Sequence, residues 1–156
     1  MARRVGAFLA AVVAAYLVGT IGYSQMNLAW QVEMGMPVDA AVRWQTAVHD
    51  VTSMLDLYLG LIAVTLLLAF LVTALVLRWV PQLRTLGYVV GGFAGIFVLD
   101  FLLGALLTGG THPLAVTRTG MGLISQCLAG AIGGYVYVRI APRPASAGAA
   151  YLSNPS

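Results

Sequence analysis

Four long stretches of the chain are apolar almost without interruption, and most of the polar residues fall in the intervals between them and beyond. The stretches cover residues 5–23, 57–77, 86–108 and 119–138. A bilayer hydrocarbon core of about 30 Å is crossed by roughly 20 helical residues, so each stretch is long enough to span it. Strands of a membrane barrel would alternate apolar and polar positions; these runs do not, and a lone apolar run in lipid must satisfy its own backbone hydrogen bonds by being helical. The pattern predicts an all-α, polytopic membrane protein: a four-transmembrane-helix bundle over residues 1–141, followed by a disordered tail at 142–156 rich in Ala, Ser and Pro. A cleaved signal peptide is the alternative for the first stretch, but no small-x-small site follows it at the expected distance.

The interval between the first two stretches has its own periodicity. Asp39 stands where an N-cap belongs, four residues ahead of Arg43. Ala41, Trp44, Val48, Val51, Leu55 and Tyr58 then recur at spacings of three and four, with Gln45, His49, Thr52 and Asp56 on an adjacent face. This predicts an outer helical segment at about 40–56 that extends span two outward, either as one long helix or as an amphipathic helix bending into the membrane. Its polar stripe is read as a solvated face or, more sharply, as a polar wall leading down to the membrane edge.

Charge sets the expected orientation. All eight basic residues are arginines, and Arg3, Arg4, Arg78, Arg84, Arg139 and Arg143 fall at one set of span ends against Arg43 and Arg118 at the other. Loops rich in Arg stay on the cytoplasmic side, which predicts N-in and C-in. Arginine without lysine, together with abundant Ala, Gly and Val, points to a GC-rich genome and hence a bacterial inner membrane. The arginines form no basic stripe with interleaved aromatics, so nucleic acid is not an expected partner. Composition adds that 60% of residues are apolar and 8% charged, more apolar surface than one soluble core of 156 residues could hide. The single cysteine, Cys127, rules out an internal disulfide and, inside an apolar run, is expected to be neutral and inert.

Helices in lipid associate through small residues at four-residue spacing. Ala7, Ala11, Ala15 and Gly19 offer such a seam in span one, Gly87, Gly91 and Gly95 in span three, and Gly130 and Gly134 in span four, with Ala129 and Gly133 alongside. Span two is Leu-rich and expected to face lipid on one side. Packing within the bundle and contact between copies in a homo-oligomer are both compatible with these seams.

Asp100 is the most informative side chain. It lies about three residues outside the centre of span three, roughly 5 Å from the midplane. A carboxylate facing lipid at that depth is costly, so it is expected to turn inward. Gln126 of span four is at a similar depth, with Thr65 and Tyr16 near the same level, and these four are expected to form a polar layer. Asp56, His49 and Arg118 are placed above it as further ligand- or ion-binding candidates. Two histidines with carboxylates at one membrane face are weak candidates for a metal site (His49, Asp56, His112), lacking the four-residue pairing of a helical His site. No catalytic motif is present, and no cofactor is implied. The favoured reading is a small membrane protein that binds or conducts a small ligand or ion through the polar layer, as an oligomer or a subunit of a membrane complex. An intramembrane enzyme acting on a lipid or quinone-like substrate, with Asp100 or His49 as acid or base, and a purely structural subunit are the alternatives.

Overall fold

The computed structural model describes residues 2–53, 55–107 and 120–142; of residues 56, 57 and 104–107 only the backbone is described. Among these residues the chain forms five α-helices and no strand: α1 (Ala2–Glu33), α2 (Ala40–Ser53), α3 (Leu55–Val76), α4 (Arg84–Leu107) and α5 (Gly120–Ile140). Four of them, all but α2, are long and apolar enough to cross a membrane.

The first helix corrects the sequence reading. It was expected to end near residue 23, where hydropathy falls, yet it continues without a break to Glu33 and is about 48 Å long. Residues 24–33 carry no proline, and Ser24 and Leu28 are buried on the same stripe as Val12, Tyr16 and Thr20. Four-residue periodicity of burial thus carries the helix past the point where its mean hydropathy would end it. The stop is Gly35, whose φ of 83° is open to glycine at no steric cost. The Gly35 amide donates to Val32 O and the Met36 amide to Gln31 O, the two bonds of a Schellman cap.

The expected N-cap is in place at the start of α2. The Val42 amide donates to Asp39 Oδ1 at 2.8 Å and the Arg43 amide to Asp39 O. Arg43 itself reaches across to α1, donating to Gln25 Oε1 at 3.1 Å rather than pairing with Asp39. Asp39→Ala is expected to cost about 1 kcal/mol of local stability, and faster amide exchange confined to the first turn of α2 would register it. The outer segment is α2, ending at Ser53, and span two is α3, beginning at Leu55; residue 54 lies outside the described residues.

In the bundle α5 lies between α1 and α4, and α3 closes the ring by packing on α4 and α1. The seams expected from the sequence are where the helices meet. Ala7, Ala11 and Ala15 are 0% exposed; a Cβ on Gly133 would stand 3.0 Å from both Ala11 O and Ala15 Cβ, so α1 and α5 touch through this stripe. Gly91 and Gly95 lie against Thr73 and Ala69 of α3, and Gly87 against Leu77 just beyond its end. A second seam on α4, one residue on from the first, was not expected: Gly92 faces Gly130, and the backbone of Tyr88 faces Gly134. At one end Phe8, Phe70, Tyr88 and Tyr137 form an aromatic cluster, the Phe70 ring 5.4 Å from Tyr88 and 4.8 Å from Tyr137. Beside it Arg84 donates to Ala141 O and Pro142 O, satisfying carbonyls that the end of α5 leaves open.

The outside of the bundle is apolar, as its core is. Large apolar residues line the outside in stripes, Val5, Leu9, Val13, Leu17 and Ile21 on α1 and Met121, Ile124, Leu128 and Ile132 on α5, while Thr20, Ser24, Thr73, Asp100 and Gln126 are buried. The outer face of α3, from Val64 to Val76, is likewise apolar and exposed.

Candidate functional site

Small residues let the helices approach, and the approach brings polar side chains from three of them together. Asp100 on α4 is 4% exposed and Gln126 on α5 is 2% exposed. Both line one cavity of about 20 Å³, together with Tyr58 of α3 and a shell of Leu61, Ile62, Ile96, Leu99 and Leu103. The expectation that Asp100 turns into the bundle and shares a site with Gln126 agrees with this geometry.

Gln126 is fully engaged across three helices. Its Oε1 accepts from the Tyr58 hydroxyl at 2.6 Å, and its Nε2 donates to Gly19 O at 3.1 Å. Gly19 is what makes room: a Cβ there would lie 3.0 Å from both Gln126 Oε1 and Tyr58 Oη. Burial removes water as a partner here, and the two bonds meet one acceptor and one donor site of the amide.

Tyr58 is the residue that sequence reasoning missed. It was counted into the apolar stripe of the outer helix because its ring fits that period, whereas its hydroxyl is what reaches the polar layer. Depth gave no signal, because Tyr58 begins the apolar run of span two, seven residues outside Thr65, the residue of that span level with Asp100 and Gln126. A buried tyrosine hydroxyl requires a partner.

Tyr16 is near the layer but not bonded to Asp100 or Gln126. Its hydroxyl donates to Val51 O at 2.6 Å, tying α1 to the end of α2, and its ring lies 5.9 Å from that of Tyr58. Thr65 is outside the cavity. Its hydroxyl donates to Leu61 O of its own helix, and its methyl lies beside Gly95 in the α3–α4 seam; the shared depth was right in rise but its angular position on α3 differs.

His49 is exposed on α2, away from the cavity, as are Gln45 and Thr52 of the same polar stripe. That stripe is an outer surface of the molecule and not a wall leading inward. The apolar stripe beside it is also largely exposed, Trp44 at 72%, because α2 docks on α1 through the side that carries Arg43 and Val51. Among the described residues no three His, Cys, Asp or Glu side chains gather as metal ligands would. The side chain of Asp56, and all of His112 and Arg118, lie outside the described residues. Cys127 is buried and free.

Two further hydroxyls, Thr20 and Ser24, are buried on successive turns of α1 without a hydrogen-bond partner. They continue the stripe of Tyr16 and add to the polar character of this half of the bundle.

Comparison with known proteins returns no match: no family model, no curated protein and no solved structure is similar to this chain.

Proposed function

We propose that the protein is a multi-pass bacterial inner-membrane protein, with the start of α1 and the end of α5 on the cytoplasmic side, that binds or passes a species no larger than a water through the layer formed by Asp100, Gln126 and Tyr58. Support for the membrane reading comes from the apolar outer stripes, with Asp100 and Gln126 turned inward, an arrangement that suits hydrocarbon as the solvent. Support for the orientation comes from the arginines, which cluster at the end marked by the Phe70 aromatic group.

The observation that carries the functional reading is the carboxyl of Asp100, buried with Gln126 and Tyr58 of two other helices at the edge of a space of about 20 Å³ whose wall is almost wholly apolar. One water needs roughly 10–15 Å³ on this measure, whereas organic ligands occupy pockets of roughly 300–1,000 Å³. A site of this size favours a proton carried on a water, or one dehydrated cation, over a lipid or quinone-like substrate. An intramembrane carboxylate is the natural group to hold either. The protein is accordingly proposed to be non-enzymatic, acting as an oligomer or within a larger membrane complex.

Proteoliposomes carrying a trapped pH dye test the reading. Wild-type protein is expected to speed decay of an external acid pulse, and Asp100→Asn, close in volume but unable to ionise, to slow that decay about tenfold, the equivalent of about 1.4 kcal/mol. Native mass spectrometry of both forms, and sodium flux measured in the same vesicles, separate the cation from the proton. Identical fluxes for Asp100→Asn and wild type in every arm would remove the polar layer from the function.

A further inference from the structure

The end of the bundle opposite the Asp100 layer carries a second feature, which the proposed function leaves unused. Arg3, Arg4, Arg78, Arg84 and Arg139 meet there, where Phe8, Phe70, Tyr88 and Tyr137 bring the ends of α1, α3, α4 and α5 together. The five acidic residues of the chain are Glu33, Asp39, Asp50, Asp56 and Asp100. None of those whose side chains are described belongs to this end, so no acidic side chain among the described residues compensates its positive charge.

Within this field one arginine is held in a defined pose. Arg139 is exposed in the last turn of α5, one turn beyond Tyr135. Its Nε donates to the Tyr135 hydroxyl at 2.8 Å, and its guanidinium carbon lies 5.2 Å from the centre of the Tyr135 ring. The tyrosine therefore occupies one edge of the guanidinium and leaves the two Nη groups directed elsewhere. Arg84, by contrast, is spent on the carbonyls of Ala141 and Pro142. Below Arg139 runs the exposed apolar stripe of α5, Ile132, Leu128, Ile124 and Met121.

We infer that Arg139, oriented by Tyr135, binds the phosphate of an anionic phospholipid whose acyl chain lies along the outer stripe of α5. Three properties fit that ligand. A guanidinium offers paired N–H donors that match two phosphate oxygens, which an ammonium does not. The surrounding positive field favours a lipid with net negative charge over a zwitterionic one. An arginine closing an apolar helical stripe sits where the headgroup and the hydrocarbon meet. Arg139 also complements the C-terminal end of the α5 dipole, but that role needs only a positive charge, so the lysine variant separates the two.

The inference rests on the membrane reading above. The full chain, purified in mild detergent, is offered phosphatidylglycerol and phosphatidylcholine of identical acyl chains in equal amounts, and native mass spectrometry reads the lipid retained. Wild type is expected to prefer phosphatidylglycerol by about fivefold or more. Arg139→Gln should abolish the preference, Arg139→Lys and Tyr135→Phe should reduce it, and Arg78→Gln should leave most of it. Retention should survive millimolar inorganic phosphate, because the acyl chain contributes to binding. Full preference in Arg139→Lys, or an equal loss in Arg78→Gln, would reduce the effect to diffuse charge and overturn the site; displacement by inorganic phosphate would overturn the lipid as its ligand. A chain that needs detergent yet shows no lipid preference sinks this inference alone, whereas one that stays monodisperse in plain buffer takes the membrane reading with it.

Discussion

Gly92→Ala is expected to be among the most damaging single methyls that can be added at the described glycines, with a loss of about 3 kcal/mol, the upper end of the usual cost of overpacking. The reason lies in what the new Cβ would strike. At Gly92 it would fall on the carbonyl of Gly130, and at Gly130 it would fall on the carbonyl of Gly92. Neither obstacle is a flexible side chain that can swing aside, so α4 and α5 must separate along their length. Separation would also loosen Asp100 from Gln126, since these two helices carry them. Gly60→Ala and Gly120→Ala serve as controls, because nothing lies within 4 Å of a Cβ at either position. Titration with a denaturing detergent, followed by circular dichroism, should show Gly92→Ala and Gly130→Ala unfolding earlier than wild type and the two controls unfolding with it. If Gly92→Ala matched the controls, α4 and α5 would not be in backbone contact.

Loss of the Gln126 amide ranks second. Gln126→Leu keeps nearly the same volume but strands the Tyr58 hydroxyl, whereas Gly19 O keeps its bond within α1, and removal of a partner from a buried polar group costs about 1–3 kcal/mol. Interhelical hydrogen bonds in membranes are individually modest, averaging about 0.6 kcal/mol in double-mutant cycles. The expected loss for Gln126→Leu is therefore about 2 kcal/mol, most of it from the stranded hydroxyl rather than from the bonds themselves. Tyr58→Phe in the Gln126→Leu background should then cost much less than in wild type, because the stranded hydroxyl is removed. The full cycle, measured by the same unfolding titration, isolates the Tyr58–Gln126 coupling. Strict additivity of the two changes would mean that the 2.6 Å bond between them contributes nothing.

Both predictions turn on features of different legibility. Gly130 and Gly134 were visible in the sequence as a small-residue seam, and so were Gly87, Gly91 and Gly95. Gly92 was not singled out, since nothing in a one-dimensional pattern says that α4 has two partners, one on either side. Once α5 is known to pack against α4 and α1 together, the neighbouring register of Tyr88, Gly92 and Ile96 becomes a second contact face. In the same way Asp100 and Gln126 could be paired by depth, because rise along a helix is fixed at 1.5 Å per residue. Thr65 was placed by the same ruler and lies in the α3–α4 seam instead, because depth says nothing about rotation around the axis. His49 and Trp44 show the same limit on α2, where periodicity defines the faces but the docking partner chooses which one is covered.

What the sequence determined by itself was the number and type of the long helices, the approximate length of three of them, the cap at Asp39 and the residues small enough to form contacts, because each is dictated by hydropathy, by local backbone hydrogen bonding or by side-chain size. Only the tertiary structure decided that α1 continues to Glu33, that Tyr58 joins Gln126, and that Tyr16 turns to Val51. Those outcomes depend on which helix faces which, and that is settled by close packing between segments far apart in the chain, where a difference of one residue in register moves a side chain by about 100° around its helix.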